Sequence, residues 1–561
     1  MNLPEKNACW IFHGKGMDSF GDLNAPVEIT LPRPGPGELL ARVDAFAICA
    51  SDVKMISMGN DYPLFKDRDF DRHPVILGHE LSLTVVAAGS KIASTWPVGK
   101  RFGVQPDVYL NNERFCIGVN VPGGMAEYLL LGEEVFLSDH GSCAFPVADE
   151  LSYAAVAQTE PLACVEAAFV QHSRQHMLPE GRVLIWLDEG ISQPYRLDLP
   201  FVSQNITVAG SRNCFDAYVS GCRENELKYV SNLPDEVWDD MIILGNPDEA
   251  MMTQLTERLA VNGLFCWLPQ SKPQDYVPMD IAKVHYNKLN LLGAADRTLS
   301  TAFSHNKYRY DYQPGGILII SGGAGTMGRI HLLRALKSPR APANIIVLAN
   351  TRSRLDRMVA DFAGLVASSA TQVHYLALQD SFNYKSKIRE IVGEQGASDI
   401  VVSAPGIEPI NNVVEFLADN GTLNLFSGTR YGQFGQLPLG RVAAANVSVI
   451  ASSGSSVKDQ IRVLKKIGLQ EAMPDFNVAA IGGLLAAKQG VEAVKVGRFA
   501  GKVVIYPQLK SLPLLPLDEL DRWDVELGEH VARRGWSREA EIMLERLYKK
   551  KCMSVTSRGS R

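Results

Sequence analysis

The chain has 561 residues, which is too many for one compact domain and predicts about three or four domains. Hydrophobic residues make up 46% of the chain, charged residues make up 21%, and the formal net charge is −6. This balance is typical of globular proteins, and it excludes a nucleic acid or a membrane as the main partner.

Neither the N-terminus nor any internal segment has the pattern of an export or membrane signal. The N-terminus lacks a basic start followed by an apolar core, and no run approaches the roughly 18 apolar residues of a membrane helix. Nine cysteines are scattered without a CxxC pair. We therefore expect a reduced, cytoplasmic protein rather than a disulfide framework, with a small-molecule substrate and a homo-oligomeric state.

Short β-type runs broken by glycine and proline dominate the first part of the chain, as at 38–48 and 81–90. Strands at this spacing predict a small β-barrel or sandwich. A helix with one internal proline, Pro161, is predicted over 151–171.

From about residue 181 the chain alternates strands with helical stretches, which predicts a parallel sheet. The clearest strand is 315–323, and a helix follows it at about 327–337. Further strands are predicted at 343–350, 371–378, 398–405, 421–428 and 446–452. Their order is that of a dinucleotide-binding fold.

A weak internal repeat precedes this fold. Residues 239–270 parallel residues 398–428, and each copy is a strand, a helix, an Asn-Gly turn and a strand. The repeat predicts a second, degenerate α/β module over 181–300. The alternative is that all strand–helix–strand units look alike.

The charged C-terminal stretch, 517–561, is predicted to be a docking helix. Ser537 is suited to be its N-cap, and an apolar stripe would face the protein. The stripe consists of Met543, Leu544, Leu547 and Tyr548.

A glycine-rich loop stands between the predicted strand 315–323 and its helix. It reads Gly323-Ala-Gly325-Thr326-Met327-Gly328. The first glycine permits a tight turn, the second lets the backbone approach a pyrophosphate, and the third lets helix and strand pack closely. The loop predicts dinucleotide binding, and the alternative is a glycine-rich turn in a sheet that binds nothing.

The end of the second strand of this fold favours NADP over NAD. Residues 348–351 contain no acid to accept the ribose hydroxyls, and Arg352 and Arg354 follow. An arginine can pair with a 2′-phosphate. The alternative is two solvated arginines at a helix start.

Several side chains of metal-binding type lie in the first 165 residues, namely Cys49, His79, Glu80 and Glu160. A thiolate, an imidazole and a carboxylate, with water in the fourth position, form an open tetrahedral zinc site. Such a zinc polarises a carbonyl or stabilises an alkoxide during hydride transfer. The residue types alone are equally compatible with an alternative that needs no metal, in which the cysteine is a buried apolar side chain and the histidine is hydrogen-bonded within the protein.

Five segments resemble the zinc-dependent medium-chain dehydrogenase/reductase family. They are ICASDVK (48–54), HPVILGHE (73–80), VGKRFGV (98–104), PGGMAEY (122–128) and EPLACV (160–165). They occur in the family's order, and the resemblance covers about 1–170 and 310–510. EPLACV is similar to the sorbitol dehydrogenase branch. A closer likeness is to the L-sorbose 1-phosphate reductase group, at GHE, EPLACV, SGGAGTMG (321–328) and DDMIIL…VHYN (239–287).

The resemblance implies roles for the residues of these segments. The implied zinc ligands are Cys49, His79 and Glu160. Glu80 would be a neighbour or an exchangeable ligand, Ser51 would pass a proton between substrate and solvent, and Asp52 would orient His79. Ser51 and Asp52 also fit a simple turn or N-cap pair. The stretch 105–124 has only Cys116 where many relatives carry four cysteines, so we expect one catalytic zinc and no structural zinc.

The implied fold class is α/β plus β. A GroES-like β-barrel catalytic domain would span 1–170 and be completed by 475–512. The degenerate Rossmann-like module would span 181–300, and the complete NAD(P)-binding Rossmann domain 315–455. Because 182–192 lacks the glycine pattern, the inserted module is expected to bind no cofactor.

The predicted function is hydride transfer between NAD(P) and a secondary alcohol or ketone of a polyol, sugar or sugar phosphate, with zinc as the metal. One alternative is a non-catalytic NADP(H)-binding sensor or scaffold, and another is a zinc-free reductase of the same fold. His285, Tyr286 and Asn287 in the inserted module are candidate substrate contacts, although a spacer or an oligomer surface would explain the module equally well.

Overall fold

The computed structural model describes residues 3–170, 174, 176–201, 205–222, 226–304, 309–379, 383–451 and 454–558. The chain divides into two compact units. The first unit consists of Met1–Glu166 and Gly454–Arg561, and the second is Ala167–Ser453. None of the helices within the described ranges combines the length and apolar character needed to cross a membrane.

An eight-stranded sheet forms the centre of the first unit. Its strands in spatial order are Ala144–Pro146, Arg101–Val104, Glu80–Ala88, Leu39–Ala47, Lys502–Tyr506, Val478–Gly483 and Leu515–Pro516, with Tyr128–Leu131 also paired to Leu39–Ala47. Most pairs are antiparallel, whereas Val478–Gly483 and Lys502–Tyr506 are parallel and are joined by the helix Ala487–Lys495. The core against this sheet is rich in aromatic side chains, including Trp10, Phe12, Phe46, Phe65 and Phe102.

The predicted β-rich domain is present, but its sheet is open where a barrel was predicted. Among the described residues its pairing ends at Ala144–Pro146 on one side and Leu515–Pro516 on the other. The physical reason lies in Leu39–Ala47, one side of which is shared by two strands. Tyr128–Leu131 pairs along its first four residues, and Lys502–Tyr506 pairs only with Phe46 and Ala47. Because these two neighbours pair with different parts of the same strand edge, they diverge, and the sheet stays open.

The remaining elements of the first unit are short. Two-stranded pairs join Lys6–Cys9 to Val27–Thr30, Ile11–Phe12 to Val75–Ile76, and Asp107–Leu110 to Glu113–Cys116. The α-helices are Ala50–Met58, Glu133–Phe136, Tyr153–Ala157, Thr159–Ala167, Val457–Gly468, Ala487–Lys495, Leu520–Trp523, Val525–Arg534 and Arg538–Arg558.

Both helical predictions in this unit correspond to helices of the structure. The helix predicted over 151–171 is two segments that meet at Gln158, and Pro161 lies in the first turn of the second segment, where its missing N–H costs nothing. The C-terminal helix packs Leu544 and Leu547 into a core cluster of the first unit.

The second unit contains two six-stranded parallel sheets. We call residues 174–304 the first module and residues 309–451 the second module. The first module orders its strands Leu227–Val230, Asn205–Ala209, Arg182–Leu187, Trp238–Leu244, Leu259–Leu268, Asn290–Gly293. The second orders them Gln372–Ala377, Asn344–Ala349, Ile317–Ser321, Ala397–Val402, Leu417–Leu425, Ser448–Ile450. Numbered along the chain, both orders are 3-2-1-4-5-6, the dinucleotide-binding topology.

The modules differ more in their helices and short strands than in their sheets. The helices of the first module are Arg212–Tyr218, Glu249–Glu257, Ile281–Tyr286 and Leu299–Ala302. Those of the second are Thr326–Lys337, Arg352–Ala367, Tyr384–Val392, Glu408–Asn411 and Leu439–Ala444. The first module also has a small parallel pair, Tyr195–Leu197 with Val219–Gly221, and one further strand from each module, Val277–Asp280 and Phe434–Leu437, pair antiparallel.

Both modules use the same buried ion pair at the start of the sheet. Arg174 lies 2.8 Å from Asp240 Oδ1, and Arg309 lies 3.1 Å from Asp399 Oδ1. Burial raises the pKa of both aspartates, and the arginine opposes the increase in each case.

The surrounding hydrogen bonds are repeated as well. Asp240 accepts the amide of Leu178, four positions after Arg174, and Asp399 accepts the amide of Gln313, four positions after Arg309, both at 2.9 Å. Each arginine also donates to the carbonyl just before its aspartate, at 2.7 Å. A detail this specific favours a true duplication over a chance likeness of strand–helix–strand units.

We expect Arg309→Met to lower the free energy of unfolding by about 3–5 kcal/mol, because it leaves the buried Asp399 carboxylate without its cation. The double variant Arg309→Met/Asp399→Asn should regain much of that loss, since it removes the orphaned charge. Urea denaturation followed by circular dichroism measures both. Arg212→Met is the control. Its ion pair with Asp216 is exposed at 3.7 Å and should be worth less than about 1 kcal/mol. Equal losses for the Arg309 and Arg212 variants would contradict the expectation.

Candidate active site

The first part of the site is a helix N-terminus that holds Cys49. Cys49 is the N-cap of the helix Ala50–Met58. Its side chain accepts the amide of Asp52, and the Asp52 carboxylate accepts the amide of Cys49 at 2.8 Å. This reciprocal capping box fixes the sulfur at the positive end of the helix.

The imidazole of His79 lies between two residues of the same helix. Its Nδ1 is 3.4 Å from Asp52 Oδ1, and its Nε2 is 3.3 Å from Ser51 Oγ. Burial alone would lower the pKa of His79, but Asp52 and Cys49 reverse this and hold the pKa well above its ordinary value. A carboxylate at Nδ1 fixes the ring orientation and directs Nε2 away from Asp52, as metal-binding imidazoles require.

The next residue, Glu80, is fully buried at the start of the strand Glu80–Ala88. Its Oε1 is paired with Nζ of Lys502, and its Oε2 has no hydrogen-bond partner among the described residues. Burial raises the pKa of Glu80, Lys502 lowers it, and the nearby Glu160 raises it further. The same pair raises the pKa of Lys502 against the effect of its own burial.

Three possible ligand atoms converge here, since those of Cys49, His79 and Glu80 all lie within 4.8 Å of one another. Glu160 is 8% exposed in the first turn of the helix Thr159–Ala167, and its Oε1 accepts from the Cys164 thiol at 3.2 Å. It is outside that group of three, although its charge acts on Glu80.

The donor set fits zinc. A soft thiolate, an imidazole and a carboxylate are the usual ligands of an open zinc site. The buried Oε2 of Glu80 gives a second reason, because it has no hydrogen-bond donor among the described residues and such an oxygen favours a nearby cation.

The glycine-rich loop of the second module connects the strand Ile317–Ser321 to the helix Thr326–Lys337. Gly322 carries the positive φ of the turn, at 78°, a role that the sequence assigned to Gly323. A Cβ on Gly323 would lie 2.5 Å from Val347, so Gly323 is required for packing. A Cβ on Gly328 would lie 2.5 Å from Gly323 Cα, which agrees with close helix–strand packing.

Gly325 leaves the mouth of the loop open. A Cβ there would meet one atom only, the carbonyl oxygen of Gly322 at 3.4 Å. The amides of Thr326, Met327 and Gly328 follow in the first turn of the helix, where N–H groups lack intrahelical acceptors. Open space before unpaired amides is the geometry that binds a phosphate.

Arg352 and Arg354 lie at the start of the helix Arg352–Ala367, directly after the strand Asn344–Ala349. Both side chains are exposed. The neighbouring strand is the phosphate-loop strand Ile317–Ser321, so both arginines follow the strand that normally carries the ribose-binding acid.

In the first module, hydrogen bonds connect the loops at the carboxyl ends of the sheet strands. Asp188 accepts the amide of Asn246 at 3.1 Å, and Asn246 in turn accepts the amides of Gln270 and Ser271 at 3.1 Å. The loops after the first, fourth and fifth strands are thereby tied together. Between the strands Arg182–Leu187 and Asn205–Ala209 the described residues contain no helix whose N-terminus could face a phosphate.

Lys502 was missed in the sequence. Its only signal was a lysine entering an apolar run, KVVIY, and a lysine buried in a central strand requires a carboxylate partner. Because the partner, Glu80, is far away in the sequence, the pair is visible only in the fold.

The chain is similar in sequence and in fold to several known proteins. The family model of the alcohol dehydrogenase GroES-like domain matches residues 35–138. Over 522 residues the chain is 23% identical to L-sorbose 1-phosphate reductase of Klebsiella pneumoniae, covering 92% of this chain and 93% of that protein. It is 34% identical over 111 residues to sorbitol dehydrogenase of Macaca fascicularis, covering 20% of this chain and 28% of the relative.

A third relative, mannitol-1-phosphate 5-dehydrogenase of Aliivibrio fischeri, is 25% identical over 276 residues, covering 46% of this chain and 63% of that protein. Among solved structures, 2R,3R-butanediol dehydrogenase of Bacillus subtilis superposes with a TM-score of 0.52 at 14% identity, covering 89% of this chain and 99% of the other. Alcohol dehydrogenase of Thermotoga maritima gives 0.51 at 14% identity, covering 90% and 100%. At these identities the structures compare the fold alone.

A GroES-like unit with a Cys-His-Glu centre, combined with a Rossmann-type sheet, defines an oxidoreductase of the alcohol and polyol dehydrogenase class. The chain is similar to the medium-chain dehydrogenase/reductase family, and in particular to its sorbitol dehydrogenase branch, as its motifs predicted.

Proposed function

We propose that the protein is a zinc-dependent oxidoreductase that transfers a hydride between NADP(H) and a secondary alcohol or ketone of a sugar phosphate or related polyol. The observation that carries the proposal is the arrangement of Cys49, Asp52 and His79, in which one buried carboxylate accepts the backbone amide of Cys49 and faces the imidazole of His79. The open phosphate loop of the second module supplies the second requirement, a dinucleotide site.

Cys49, His79 and Glu160 would hold the metal. Glu80 lies closer to Cys49 and His79, but its charge is already balanced by Lys502. Glu160 acts on Lys502 through its charge but forms no salt bridge among the described residues, so we assign to it the balancing of the metal charge. When bound, zinc would act as a Lewis acid toward the substrate oxygen.

Ser51 would move the proton. Its Oγ is 3.3 Å from His79 Nε2, and the side chain is half-buried in the first turn of its helix. A hydroxyl that can both accept and donate can pass the proton of the substrate alcohol onward to solvent.

The second module would hold the nicotinamide cofactor, with its pyrophosphate on the amides after Gly325 and a 2′-phosphate beside Arg352 and Arg354. The first module would bind none, because Asn246 and its partners bridge the crevice that a dinucleotide would enter. One dinucleotide site per chain follows from this difference.

The proposed substrate class comes from the relatives. Two of them are named for reactions of sugar phosphates, and the likeness to L-sorbose 1-phosphate reductase extends over nearly the whole chain. We also propose that the protein is a homo-oligomer. The proposed domains are 1–170 completed by 475–512, then 181–300, 315–455 and 517–561.

For the metal, we expect the purified protein to hold about one zinc per chain, as an open catalytic site without a structural partner requires. Glu160→Gln should lose the metal. Glu80→Gln/Lys502→Met should keep it, because this double change removes a neutral pair together. Elemental analysis after dialysis measures both. Retention in Glu160→Gln with loss in the double variant would assign the ligand role to Glu80. Full activity of metal-free protein would overturn the zinc proposal.

For the reaction, we expect oxidation of sugar phosphates or polyols with NADP⁺, followed at the absorbance of NADPH. Ser51→Ala should lower kcat by roughly 100-fold or more while leaving zinc content unchanged, because it removes the proton path but no ligand. Ser19→Ala, which changes a hydroxyl bonded only to nearby backbone, is the matched control. Failure of every polyol, sugar and sugar phosphate in zinc-loaded protein that binds NADPH would favour a sensor or scaffold.

For the cofactor, Arg352→Ala/Arg354→Ala should weaken NADPH binding by at least about tenfold, since two charge-assisted contacts to the 2′-phosphate are lost. NADH binding should change little. Calorimetric titration gives both affinities and should show one site per chain. Arg340→Ala, also exposed but on a different loop, is the control. Equal losses for the two cofactors, or a wild-type preference for NADH, would refute the assignment.

A further inference from the structure

Two equivalent strands join the modules of the second unit. Val277–Asp280 and Phe434–Leu437 pair antiparallel, with Val277 opposite Leu437 and Asp280 opposite Phe434. Each strand follows the fifth sheet strand of its own module and precedes a short helix, Ile281–Tyr286 in one case and Leu439–Ala444 in the other. The contacts are therefore arranged about an approximate two-fold axis.

The helix contacts follow the same symmetry. The amide of Ile281 donates to the carbonyl of Gln433 at 3.1 Å, and the amide of Gly440 donates to the carbonyl of Asp275 at 3.2 Å. Each helix thus lies on the segment that precedes the other module's strand. The first module occupies the place that a second copy of the second module would take.

The end of the helix Ile281–Tyr286 packs directly on residues 425–432 of the second module. His285 is 5% exposed, and its Nδ1 donates to the carbonyl of Leu425 at 3.0 Å. A Cβ on Gly428 would lie 2.4 Å from Tyr286 Oη and 2.8 Å from His285 Cδ2. Gly428 therefore lies at the point where the rings of His285 and Tyr286 contact the loop, and a larger residue would not fit there.

Polar contacts extend this packing to the far end of the loop. Tyr431 Oη donates to Asn287 Oδ1 at 3.2 Å, and the amide of Gly432 donates to Asp280 Oδ2 at 2.8 Å. His285 and Asn287 are thus engaged by the second module's backbone and by Tyr431, where the sequence had suggested contact with a substrate.

Residues 425–432 lie at the carboxyl edge of the second module's sheet. The loop follows the strand Leu417–Leu425, which neighbours Ala397–Val402 on the side away from Asn344–Ala349. In this topology one half of the sheet takes the adenosine and the other half takes the second nucleotide, at the carboxyl ends of the strands. Arg352 follows a strand of the first half, so residues 425–432 border the nicotinamide half.

We propose that the first module serves as a fixed support that positions loop 425–432 against the nicotinamide, with His285 and Tyr286 as positioning residues. The inference rests on the proposed dinucleotide site of the second module. It explains why the first module keeps the helix and strand that face its partner while its own crevice is bridged by Asp188, Asn246 and Gln270. The face that packs on the second module would then have a role, although the bridged crevice binds no cofactor.

The test compares a whole cofactor with its adenosine half in the full-length chain. His285→Leu and Gly428→Ala should each weaken NADPH binding by about tenfold, because one removes the bond to Leu425 and the other forces the loop off Tyr286. Binding of adenosine 2′,5′-bisphosphate should change by less than about twofold. Fluorescence titration measures both ligands. His285→Asn, whose amide can replace the Nδ1 donor, should restore most of the NADPH affinity.

A second pair of variants separates direct support from loss of folding. Tyr286→Leu should rescue Gly428→Ala in part, because it removes the two nearest atoms that the new methyl group meets and leaves His285 Cδ2 at 2.8 Å. Asn246→Ala perturbs the first module away from the loop and should leave NADPH affinity unchanged. Equal weakening of both ligands in His285→Leu, or no weakening of either, would overturn the inference. Wild-type protein that binds neither NADPH nor NADH would instead overturn the proposed function, and the inference with it.

Discussion

The carboxylate of Asp52 is the contact on which the proposed metal site depends. One oxygen accepts the amide of Cys49 and the other faces Nδ1 of His79. A single buried group therefore sets both the sulfur at the start of a helix and the orientation of a ring at the start of a strand. Asp52 is fully buried, so both contacts form where water does not compete.

Charge in this dry region is balanced by pairs rather than by solvent. Glu80 and Lys502 neutralise each other within the sheet, on neighbours of the strand Leu39–Ala47. A buried pair of this kind adds little net stability, but neither partner can be removed alone without leaving an uncompensated charge. Glu160 also acts on Lys502 through its charge but forms no salt bridge among the described residues, which is the basis for proposing it as the metal ligand.

The parts of the fold that the sequence could predict are those encoded by neighbours in the chain. The phosphate loop was predictable because its glycines stand at fixed spacing in one strand–turn–helix unit, where Gly328 packs on Gly323 and Gly323 packs on the adjacent strand at Val347. The strands of both sheets were visible because buried parallel strands are nearly continuous apolar runs. The open sheet of the first unit was not visible, because it depends on two distant segments sharing one side of Leu39–Ala47.

The candidate site shows the same limit. The motifs predicted Cys49, His79 and Asp52, and the fold brings these three together. They could not reveal Lys502, or that Glu80 lies closer than Glu160 to the other two ligand atoms, since both depend on side-chain packing between distant elements. Gly322 took the turn conformation expected of Gly323, because the motif fixes the number of glycines in a loop better than it fixes which of them has a positive φ.

The two modules of the second unit share their structural contacts but not the glycine-rich loop. Both modules retain the Arg–Asp pair, the strand order and the strand that joins them. These features serve folding and mutual packing, and each is lost only at a cost in stability. The glycine loop serves a ligand, and only the second module has it. Where His285 and Tyr286 meet Gly428, the module without the loop is packed against a segment bordering the site of the module that has it. The module without the loop can therefore contribute to the proposed cofactor site through its packing face, because that face fixes the position of the segment that contains Gly428.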